Sequence, residues 1–440
     1  MPASTAADAP ATLQAQLDAR PVSALQWRVI GLCWLVNALD GFDLLAISFA
    51  APAIASAWQL DPQTLGLVFS SGLLGMTAGS LVLGPAADRI GRRRMILLAT
   101  AVLGASTLAT AAAGDVTQLV VLRACTGIAI GALLPSLNTL VAEYAPDRRR
   151  NLAISFMHLG YPVGGMAGGF LAAQLIPAAG WPALFVAGGL FTLAVVPILL
   201  LGLPESLHYL LRSGRADSPA AGRLAGRLGL DLAAATAHAA PTPATPVREV
   251  LRGRWLAPGL ALWACFLLGN LTLYFVLNWT PTVLVEAGLP QAQAIRAGLL
   301  LNLGGGLGML TLGYLSARWS MHGMMSAFFV VGGALVMALG QLSQAAGLLF
   351  ACTVLAGFFS LGALIGLYSL AARLYPDSRR ATGVGLAIGA GRFGAIAGPY
   401  AGGLLIALGW PMGRYFALLA LPLLAAAVIV WRVRPPAGRD

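Results

Sequence analysis

Twelve long apolar runs dominate this sequence and constrain its fold more than any other feature. Each run is at least about 20 residues long, which is the length that an α-helix needs to cross a bilayer. Of the 440 residues, 58% are hydrophobic and only 10% are charged. The sequence therefore predicts an all-α membrane protein with twelve transmembrane helices, since a soluble core cannot bury so much apolar surface. The runs cover residues 27–52, 65–86, 94–114, 117–141, 151–175, 181–203, 256–279, 292–316, 323–342, 346–372, 381–406 and 411–432.

The basic residues predict the orientation of these helices. The chain has no lysine and 27 arginines. If both termini are cytoplasmic, 23 arginines fall on the cytoplasmic side, and only Arg296 and Arg414 fall in outer loops. An excess of this kind follows the positive-inside rule. We therefore interpret the net charge of +11 as a sign of orientation and not of a nucleic-acid partner.

The chain repeats itself once, at an offset of 229–230 residues. The segment 142–150 (AEYAPDRRR) matches 372–380 (ARLYPDSRR), and Gly164 and Gly168 match Gly394 and Gly398. Several matches at one offset indicate a parallel internal repeat, here two pseudo-repeated six-helix bundles. The predicted segments are a cytoplasmic N-terminal tail (1–26), an N-terminal bundle (27–203), a cytoplasmic linker with a short amphipathic helix at 220–230 (204–254), a C-terminal bundle (255–433) and a cytoplasmic tail (434–440).

Four charged residues interrupt the apolar runs. Asp40 and Asp43 lie in the first run, Arg123 in the fourth and Arg392 in the eleventh. Each charge costs roughly 2.5–3.5 kcal/mol on insertion scales, so it predicts a use inside the membrane. The spacing of the two acids places them on one helix face, which Asn37 extends. At 1.5 Å per residue, Asp43 lies at the height of Arg123, while Asp40 and Arg392 lie near mid-bilayer.

This arrangement predicts a pathway for protons and an anion. We expect Arg392 to attract the carboxylate of a solute, and Asp40 and Asp43, next to Arg123, to bind and release protons. Two alternatives remain at this point: the Asp43–Arg123 pair is a static tether between helices, and Arg392 only braces its helix. His158 is a candidate proton relay or a packed, hydrogen-bonded histidine. Two acids permit one or two protons for each anion.

The second half supplies polar and aromatic candidates for binding the solute. Asn270, Tyr274 and Asn278 form one stripe along the seventh run, and Asn270 matches Asp40 in the repeat. Tyr274, Phe266 and Tyr368 are candidates to stack on an aromatic ring. The alternative for this stripe is a helix face that packs in the core.

The loop after the second run carries the first resemblance to a known family. The segment 84–94 (GPAADRIGRRR) resembles the cytoplasmic loop motif of the major facilitator superfamily, and 123–131 and 203–206 resemble two further motifs of that superfamily. The resemblance implies a gate at the cytoplasmic side, in which glycines allow close helix packing and arginines pair with acids such as Glu143. The implied gating residues are Gly84, Asp88, Arg89, Gly91, Arg92, Arg93 and Glu143.

Within that superfamily, two helix segments resemble the aromatic acid:H⁺ symporter family. They are 40–43 (DGFD) and 391–399 (GRFGAIAGP). The resemblance implies uptake of benzoate-, hydroxybenzoate- or phenylpropanoid-like acids with protons across a bacterial inner membrane, by alternating access. The expected partners are a small aromatic carboxylate, protons and the bilayer, with no cofactor and no nucleic acid. We expect the protein to work as a monomer.

Three other functions remain open. A proton-coupled carrier of another organic acid or of a sugar fits the same architecture, and so does a drug:H⁺ antiporter. An intramembrane enzyme is disfavoured, because the sequence has no His-Glu-x-x-His and no Gly-x-Ser-x-Gly motif. The four cysteines lie singly in apolar runs and predict no metal site.

Overall fold

The computed structural model describes residues 13–215, 217–232, 253–315, 318–342, 346–375 and 377–434. Over these residues every regular element is a helix. The parts of the predicted tails and linker at 1–12, 233–252 and 435–440 lie outside the described residues.

The described residues between 13 and 232 form ten helices. In chain order, α1 to α10 span Leu13–Asp18, Ala24–Trp58, Pro62–Ile90, Arg92–Thr110, Val116–Tyr144, Asp147–His158, Gly160–Ala179, Trp181–Gly202, Leu207–Arg212 and Pro219–Leu228. Polar caps begin several of them: the side chains of Ser23, Asp61 and Asp115 accept hydrogen bonds from backbone N–H groups of the first turn of α2, α3 and α5. Such caps satisfy N–H groups that have no partner within the helix.

The described residues between 253 and 434 form six α-helices and two short 3₁₀ turns. The α-helices α11 to α16 span Leu256–Glu286, Gln291–Leu315, Met321–Leu339, Ala346–Leu374, Asp377–Ala407 and Met412–Ile429. The 3₁₀ turns, Gly253–Trp255 and Val430–Arg432, lie next to α11 and α16.

The twelve predicted membrane helices are present. Within the described residues, ten segments are long and apolar enough to cross a membrane. The other two predicted spans are α4 and α15, which are 19 and 31 residues long. The predicted fifth helix is divided between α6 and α7, which meet at Leu159.

The long helices alternate in direction, which gives the molecule two faces. The terminal face carries residue 13 and residue 434, with the turn at Gly91 between α3 and α4. The opposite face carries the turns at 59–61, 111–115, 287–290 and 408–411.

The N-terminal helix and the linker pack together on the terminal face. The Gln16 side chain donates to the carbonyl of Asp231 at 3.0 Å and accepts from its N–H at 2.7 Å. Gln14 donates to the carbonyl of Ala145 at 2.9 Å. Leu13 and Leu17 are buried in the same apolar cluster as Leu224 and Leu228 of α10. The amphipathic helix predicted near 220–230 is thus present as α10, and α1 is a helix that the sequence analysis did not predict.

Two apolar clusters divide the core, and the boundary between them does not follow the sequence repeat. One cluster combines the second half with the opposite-face part of the first half, including Phe49, Phe69 and Phe185. The other cluster lies mainly in the terminal-face part of the first half, around Leu137 and Tyr144. The two halves therefore share one core toward the opposite face and have largely separate cores toward the terminal face.

Direct contacts between the halves also lie toward the opposite face or near mid-height. The hydroxyl of Ser48 in α2 donates to Asn278 Oδ1 in α11 at 3.0 Å. These two residues are 230 positions apart, so equivalent helices cross at equivalent positions. Ser70 of α3 donates to the carbonyl of Ile396 in α15 at 2.8 Å, and the ring of Phe69 packs edge-on against Trp279 at 5.4 Å.

Candidate functional site

Asp43 and Arg123 form a buried ion pair between α2 and α5. Arg123 Nη1 lies 3.1 Å from Asp43 Oδ2, and the two side chains are only 3% and 1% exposed. The second oxygen of Asp43 accepts a hydrogen bond from the hydroxyl of Thr107 in α4. Both carboxylate oxygens are therefore hydrogen-bonded. The depths of these two residues in their apolar runs predict that they lie at the same height, and the structure places them in contact.

Hydroxyl groups from α4 and α5 complete this network. Arg123 Nη2 donates to Thr110 and to Thr126, each at 3.2 Å, and the Thr126 hydroxyl donates to Ser106 at 2.9 Å. The guanidinium carbon lies 5.3 Å from the ring centroid of Phe185. A buried charge is stable only when it is paired and hydrogen-bonded, and this arginine is both.

The α4 hydroxyls were missed by the sequence analysis. Ser106, Thr107 and Thr110 lie on neighbouring turns of α4, and all three are buried. Their spacing of one and three residues could have predicted this role, because it places three hydroxyl groups toward one side of an apolar helix.

A small cavity adjoins the ion pair. Its unfilled space, part of which is open to solvent, amounts to about 310 Å³ and is lined by residues of α2, α3, α5 and α11. Asn278 is its contribution from the second half, so the cavity lies where the two halves meet. Its lining consists of Asp43, Leu44, Ile47, Val68, Phe69, Gly72, Arg123, Thr126, Gly127, Ile130 and Asn278.

Asp40 differs from Asp43 in its surroundings. It is 2% exposed, and its Oδ1 atom has no hydrogen-bond partner among the described residues. The charges within electrostatic range of its carboxyl group are those of Arg392 and Asp43. Oδ1 of Asp40 can therefore take up a proton without losing a hydrogen bond to a described residue.

Arg392 lies in α15 between the two halves. Its side chain is half-buried, and Nη1 donates to the thioether sulfur of Met76 in α3 at 2.7 Å. Within the described part of the chain, no carboxylate lies within ion-pair distance of its guanidinium group. Most of its donors are therefore available to a ligand.

Three tyrosines lie within electrostatic range of Arg392. Tyr274 of α11 and Tyr368 of α14 are both within electrostatic range of Arg392. Tyr161 of α7 is within range of Tyr274, Asp40 and Arg392. None of the three phenol groups makes a hydrogen bond with another described residue. Tyr161 was not among the predicted site residues, since it lies in a glycine-dense segment that predicts close packing.

The predicted aromatic surface is partly assembled. Tyr368 is 37% exposed, and its ring packs edge-on against Phe266 at 5.2 Å. The side-chain amides of Asn270 and Asn278 both donate to carbonyl groups of their own helix, those of Phe266 and Tyr274, at 2.7 and 2.8 Å. This leaves the Asn270 carbonyl oxygen to act as an acceptor, whereas Asn278 Oδ1 accepts from Ser48.

Asn37 and His158 each make a polar contact within the first half. Asn37 Nδ2 donates to the carbonyl of Met157 at 2.9 Å, and Asn37 Oδ1 is buried with no partner among the described residues. His158 Nε2 lies 3.0 Å from Asn138 Oδ1. His158 is thus hydrogen-bonded to a neutral side chain in this structure.

The predicted gating residues meet at the terminal face. Arg92 Nη2 lies 2.7 Å from Asp88 and 3.5 Å from Glu143. Arg93 donates from Nε to the carbonyl of Leu203 at 2.6 Å. The carbonyl of Arg89 accepts from the hydroxyl of Tyr209 at 3.0 Å. The expected pairing of this loop with Glu143 is therefore present.

Glu205 is a further residue of this loop network that was not predicted. Its Oε1 accepts from the backbone N–H of Arg93 at 3.0 Å, which caps the first turn of α4. Gly91 precedes α4 with φ +103°, and a Cβ atom there would overlap the Glu205 carboxylate. Glycine is required at this turn for both reasons. Gly84, in contrast, has room, since an added Cβ would meet only Pro135, at 3.9 Å.

The described residues contain no cluster of three or more His, Cys, Asp or Glu side chains that could hold a metal ion. The central groups can perform acid–base and ionic chemistry: Asp40 can exchange a proton, and Arg392 can bind an anion.

Comparisons with known proteins agree with this arrangement. Residues 33–346 and 324–440 match the Major Facilitator Superfamily. The chain is 38% identical over 427 residues to a gallate transporter of Pseudomonas putida, covering 96% of this chain and 95% of the relative. It is 37% identical over 425 residues to the 4-hydroxybenzoate transporter PcaK of Pseudomonas aeruginosa, covering 95% of each.

A solved structure shows the same fold. The xylose transporter XylE from E. coli, in its inward open conformation, superposes with a TM-score of 0.70 over 94% of this chain and 98% of that one, at 19% identity. The chain therefore belongs to the major facilitator superfamily, a superfamily of transporters, and within it to the aromatic acid:H⁺ symporter family that its helix motifs resemble.

Proposed function

We propose that this protein imports small aromatic carboxylates together with protons, by alternating access. The observation that carries the proposal is Arg392: a half-buried guanidinium group between the two halves, close to three tyrosines and with no carboxylate of the described chain at ion-pair distance. Guanidinium binds carboxylate through two parallel hydrogen bonds. Tyrosine rings stack on an aromatic ring and offer a hydroxyl at their edge.

The relatives support the aromatic class of substrate. Those compared above are named for gallate and for 4-hydroxybenzoate, which are both benzoic acids with ring hydroxyl groups. We therefore assign the solute of this chain to the hydroxybenzoate class.

We infer that Asp40 is the residue that carries the proton. Both oxygens of Asp43 are hydrogen-bonded, and its protonation would leave the charge of Arg123 buried without a partner. Asp40 has an oxygen without a partner, and its neighbours are Arg392, Asp43, Tyr161 and Tyr274. The Asp43–Arg123 pair then acts as a fixed tether between α2 and α5, which was one of the two roles left open by the sequence.

Charge balance predicts the stoichiometry. With Asp40 ionised and no substrate, the two carboxylates and two guanidinium groups sum to zero. When a monoanion binds to Arg392, the sum returns to zero only if Asp40 takes up one proton. A net charge at this depth is costly, so binding of the anion and protonation of Asp40 favour each other. We propose one proton for each monoanion.

The packing of the two halves indicates which face of the molecule is open. The halves share a core toward the opposite face and have largely separate cores toward the terminal face. The arginine bias assigns the terminal face to the cytoplasm, so we interpret this conformation as inward-facing. The loop network around Arg92 would then rearrange when the terminal face closes. We further propose that the protein works as a monomer in a bacterial inner membrane, without a cofactor, and with His158 in a structural role.

The test is uptake by proteoliposomes with an imposed pH gradient. We expect accumulation of 4-hydroxybenzoate by about tenfold for each pH unit, since one proton carries that free energy. Arg392→Ala should abolish uptake, whereas the matched control Arg414→Ala, at an exposed position, should keep it. If the wild-type protein carries xylose or a cationic drug and no aromatic acid, the assignment is wrong.

A further inference from the structure

Tyr161 has a position that the proposed transport cycle does not yet use. It lies at the start of α7, directly after the break at Leu159. A Cβ atom at Gly41 of α2 would overlap the backbone carbonyl of Tyr161, and one at Gly164 would overlap the carbonyl of Ala38. Glycines thus bring the backbones of α2 and α7 into contact, and this contact fixes the backbone of Tyr161 without using its side chain.

The side chain of Tyr161 lies within electrostatic range of Asp40, Tyr274 and Arg392. It is half-buried, and its hydroxyl makes no hydrogen bond with another described residue. The neighbouring residue, Pro162, lies next to Gly306 of α12 in the second half. The phenol is therefore an available donor and acceptor that the first half contributes near the second half.

The three tyrosines are not equivalent with respect to Arg392. For Tyr274 and Tyr368, Arg392 is the strongest charged influence. For Tyr161, the influences of Tyr274 and Asp40 are both stronger than that of Arg392. Tyr274 and Tyr368 also belong to the second half, as Arg392 does, whereas Tyr161 belongs to the first half, where its backbone packs against Gly41, next to Asp40.

We propose that Tyr161 is a specificity-determining residue whose phenol hydrogen-bonds a ring hydroxyl of the bound aromatic acid. The inference rests on the proposed function, in which Arg392 holds the carboxylate. The ring then extends from α15 toward the first half, where Tyr161 lies. A ring hydroxyl in an apolar cavity needs a hydrogen-bond partner. A site that supplies this partner disfavours the analogue without the hydroxyl, because the polar group of the site then stays unpaired.

The experiment compares two acids that differ by one hydroxyl group. Uptake of 4-hydroxybenzoate and of benzoate is measured in proteoliposomes for the wild type, Tyr161→Phe and Tyr368→Phe. For Tyr161→Phe we expect kcat/KM for 4-hydroxybenzoate to fall by about tenfold, as for the loss of one hydrogen bond, with benzoate changed less than about twofold. Tyr368→Phe, beside the carboxylate end, should change both acids by the same factor.

A second readout separates substrate selection from an effect on Asp40. The accumulation ratio of benzoate at a fixed pH gradient should be the same in Tyr161→Phe and in the wild type. An equal loss for both acids in Tyr161→Phe, or a changed accumulation ratio for benzoate, overturns the inference and leaves the proposed function intact. If the wild type transports neither acid, the proposed function fails, and this inference fails with it.

Discussion

The two aspartates of α2 lie three residues apart, and they differ in how their oxygens are hydrogen-bonded. Asp43 accepts from Thr107 and from Arg123, while Asp40 Oδ1 has no donor among the described residues. Removing one partner of a buried ion pair is costly, because the other charge is left without compensation. Neutralising the two acids should therefore have different consequences.

Asp43→Asn should destabilise the protein by about 3–5 kcal/mol, since it leaves Arg123 buried without its counter-charge. Asp40→Asn should keep the wild-type melting temperature within a few degrees, keep counterflow exchange of substrate and lose accumulation. Melting of the detergent-solubilised variants and the two transport assays measure these effects. Uphill uptake by Asp40→Asn at the wild-type level would remove Asp40 from the mechanism.

Thr107→Val tests the network around Asp43 with an isosteric change. The variant removes the hydroxyl donor to Asp43 and should cost about 1–3 kcal/mol of folding free energy, because a buried acceptor loses its partner. Thr100→Val is the matched control on the same helix: Thr100 is equally buried, but its hydroxyl donates only to the carbonyl of Ile96. Equal melting temperatures for the two variants would contradict this account of the network.

At the residue scale, the sequence predicted the charged residues better than the neutral ones. Charges inside apolar runs are rare and costly, so Asp43 and Arg123 could be paired from their depth alone. Ser, Thr and Tyr are common in membrane helices, and only the tertiary structure shows which of them face a charge. For this reason the hydroxyls of Thr107 and Thr110 and the phenol of Tyr161 were not predicted.

At the scale of elements, α9 holds the terminal-face loop in place. Tyr209 of α9 donates to the carbonyl of Arg89, and Glu205, just before α9, caps α4. His208 lies in the same short helix. Burial lowers the pKa of His208, and the positive charges of Arg92, Arg150 and Arg212 lower it further.

The lowered pKa of His208 predicts that the stability of the protein depends on pH. Because its folded-state pKa lies below the ordinary value of about 6.5, the unfolded chain binds the proton first as the pH falls. The contribution of the neutral imidazole is thus present above about pH 6.5 and is lost on acidification below it. Melting temperatures between about pH 7.5 and 5.5 should fall more steeply for the wild type than for His208→Gln, and parallel curves would contradict the prediction.

The sequence predicted the long helices to within a few residues at most ends, because each has an apolar run of membrane-spanning length. It did not predict the division of the fifth helix at Leu159, although Gly160 and Pro162, two residue types that weaken helices, follow that position. The helix α1 was also missed: it is six residues long, and Leu13 and Leu17 are buried only because α10 packs beside them. Short helices of this kind depend on tertiary contacts.

At the scale of the molecule, close packing of α3 on α15 holds the opposite face closed. A Cβ atom at Gly403 would lie 3.2 Å from the Cα of Gly66 and 3.1 Å from the ring of Trp279. Gly389 lies on the same helix, and a Cβ atom there would meet no other atom within 4 Å. The two glycines therefore provide a matched pair for testing the closed face.

Gly403→Val should disfavour closure of the opposite face and lower the rate of transport, whereas Gly389→Val should have little effect. The readout is labelling of Gln63→Cys, placed at the opposite face, by a membrane-impermeant maleimide after the four native cysteines have been replaced. Labelling should be faster with Gly403→Val than with Gly389→Val. Equal labelling rates would show that this contact does not hold the face closed.

The sequence could not predict which face is open. The same apolar helix surfaces serve every conformation of a carrier, so the composition of α3 and α15 is compatible with each of them. The internal repeat did predict the two pseudo-equivalent halves, and the hydrogen bond between Ser48 and Asn278 joins them at positions related by the repeat offset.

The central claim is that one proton on Asp40 and one anion on Arg392 cross the membrane together, and the voltage dependence of uptake tests it most directly. Proteoliposomes are given a fixed pH gradient, and a potassium gradient with valinomycin sets the membrane potential. Co-transport of one proton with one monoanion moves no net charge, so the account predicts that the accumulation ratio of 4-hydroxybenzoate is independent of the potential. An accumulation ratio that rises with an inside-negative potential would contradict the account, because it would mean that an extra positive charge enters. The potential would then add about 2.3 kcal/mol of driving force for each 100 mV.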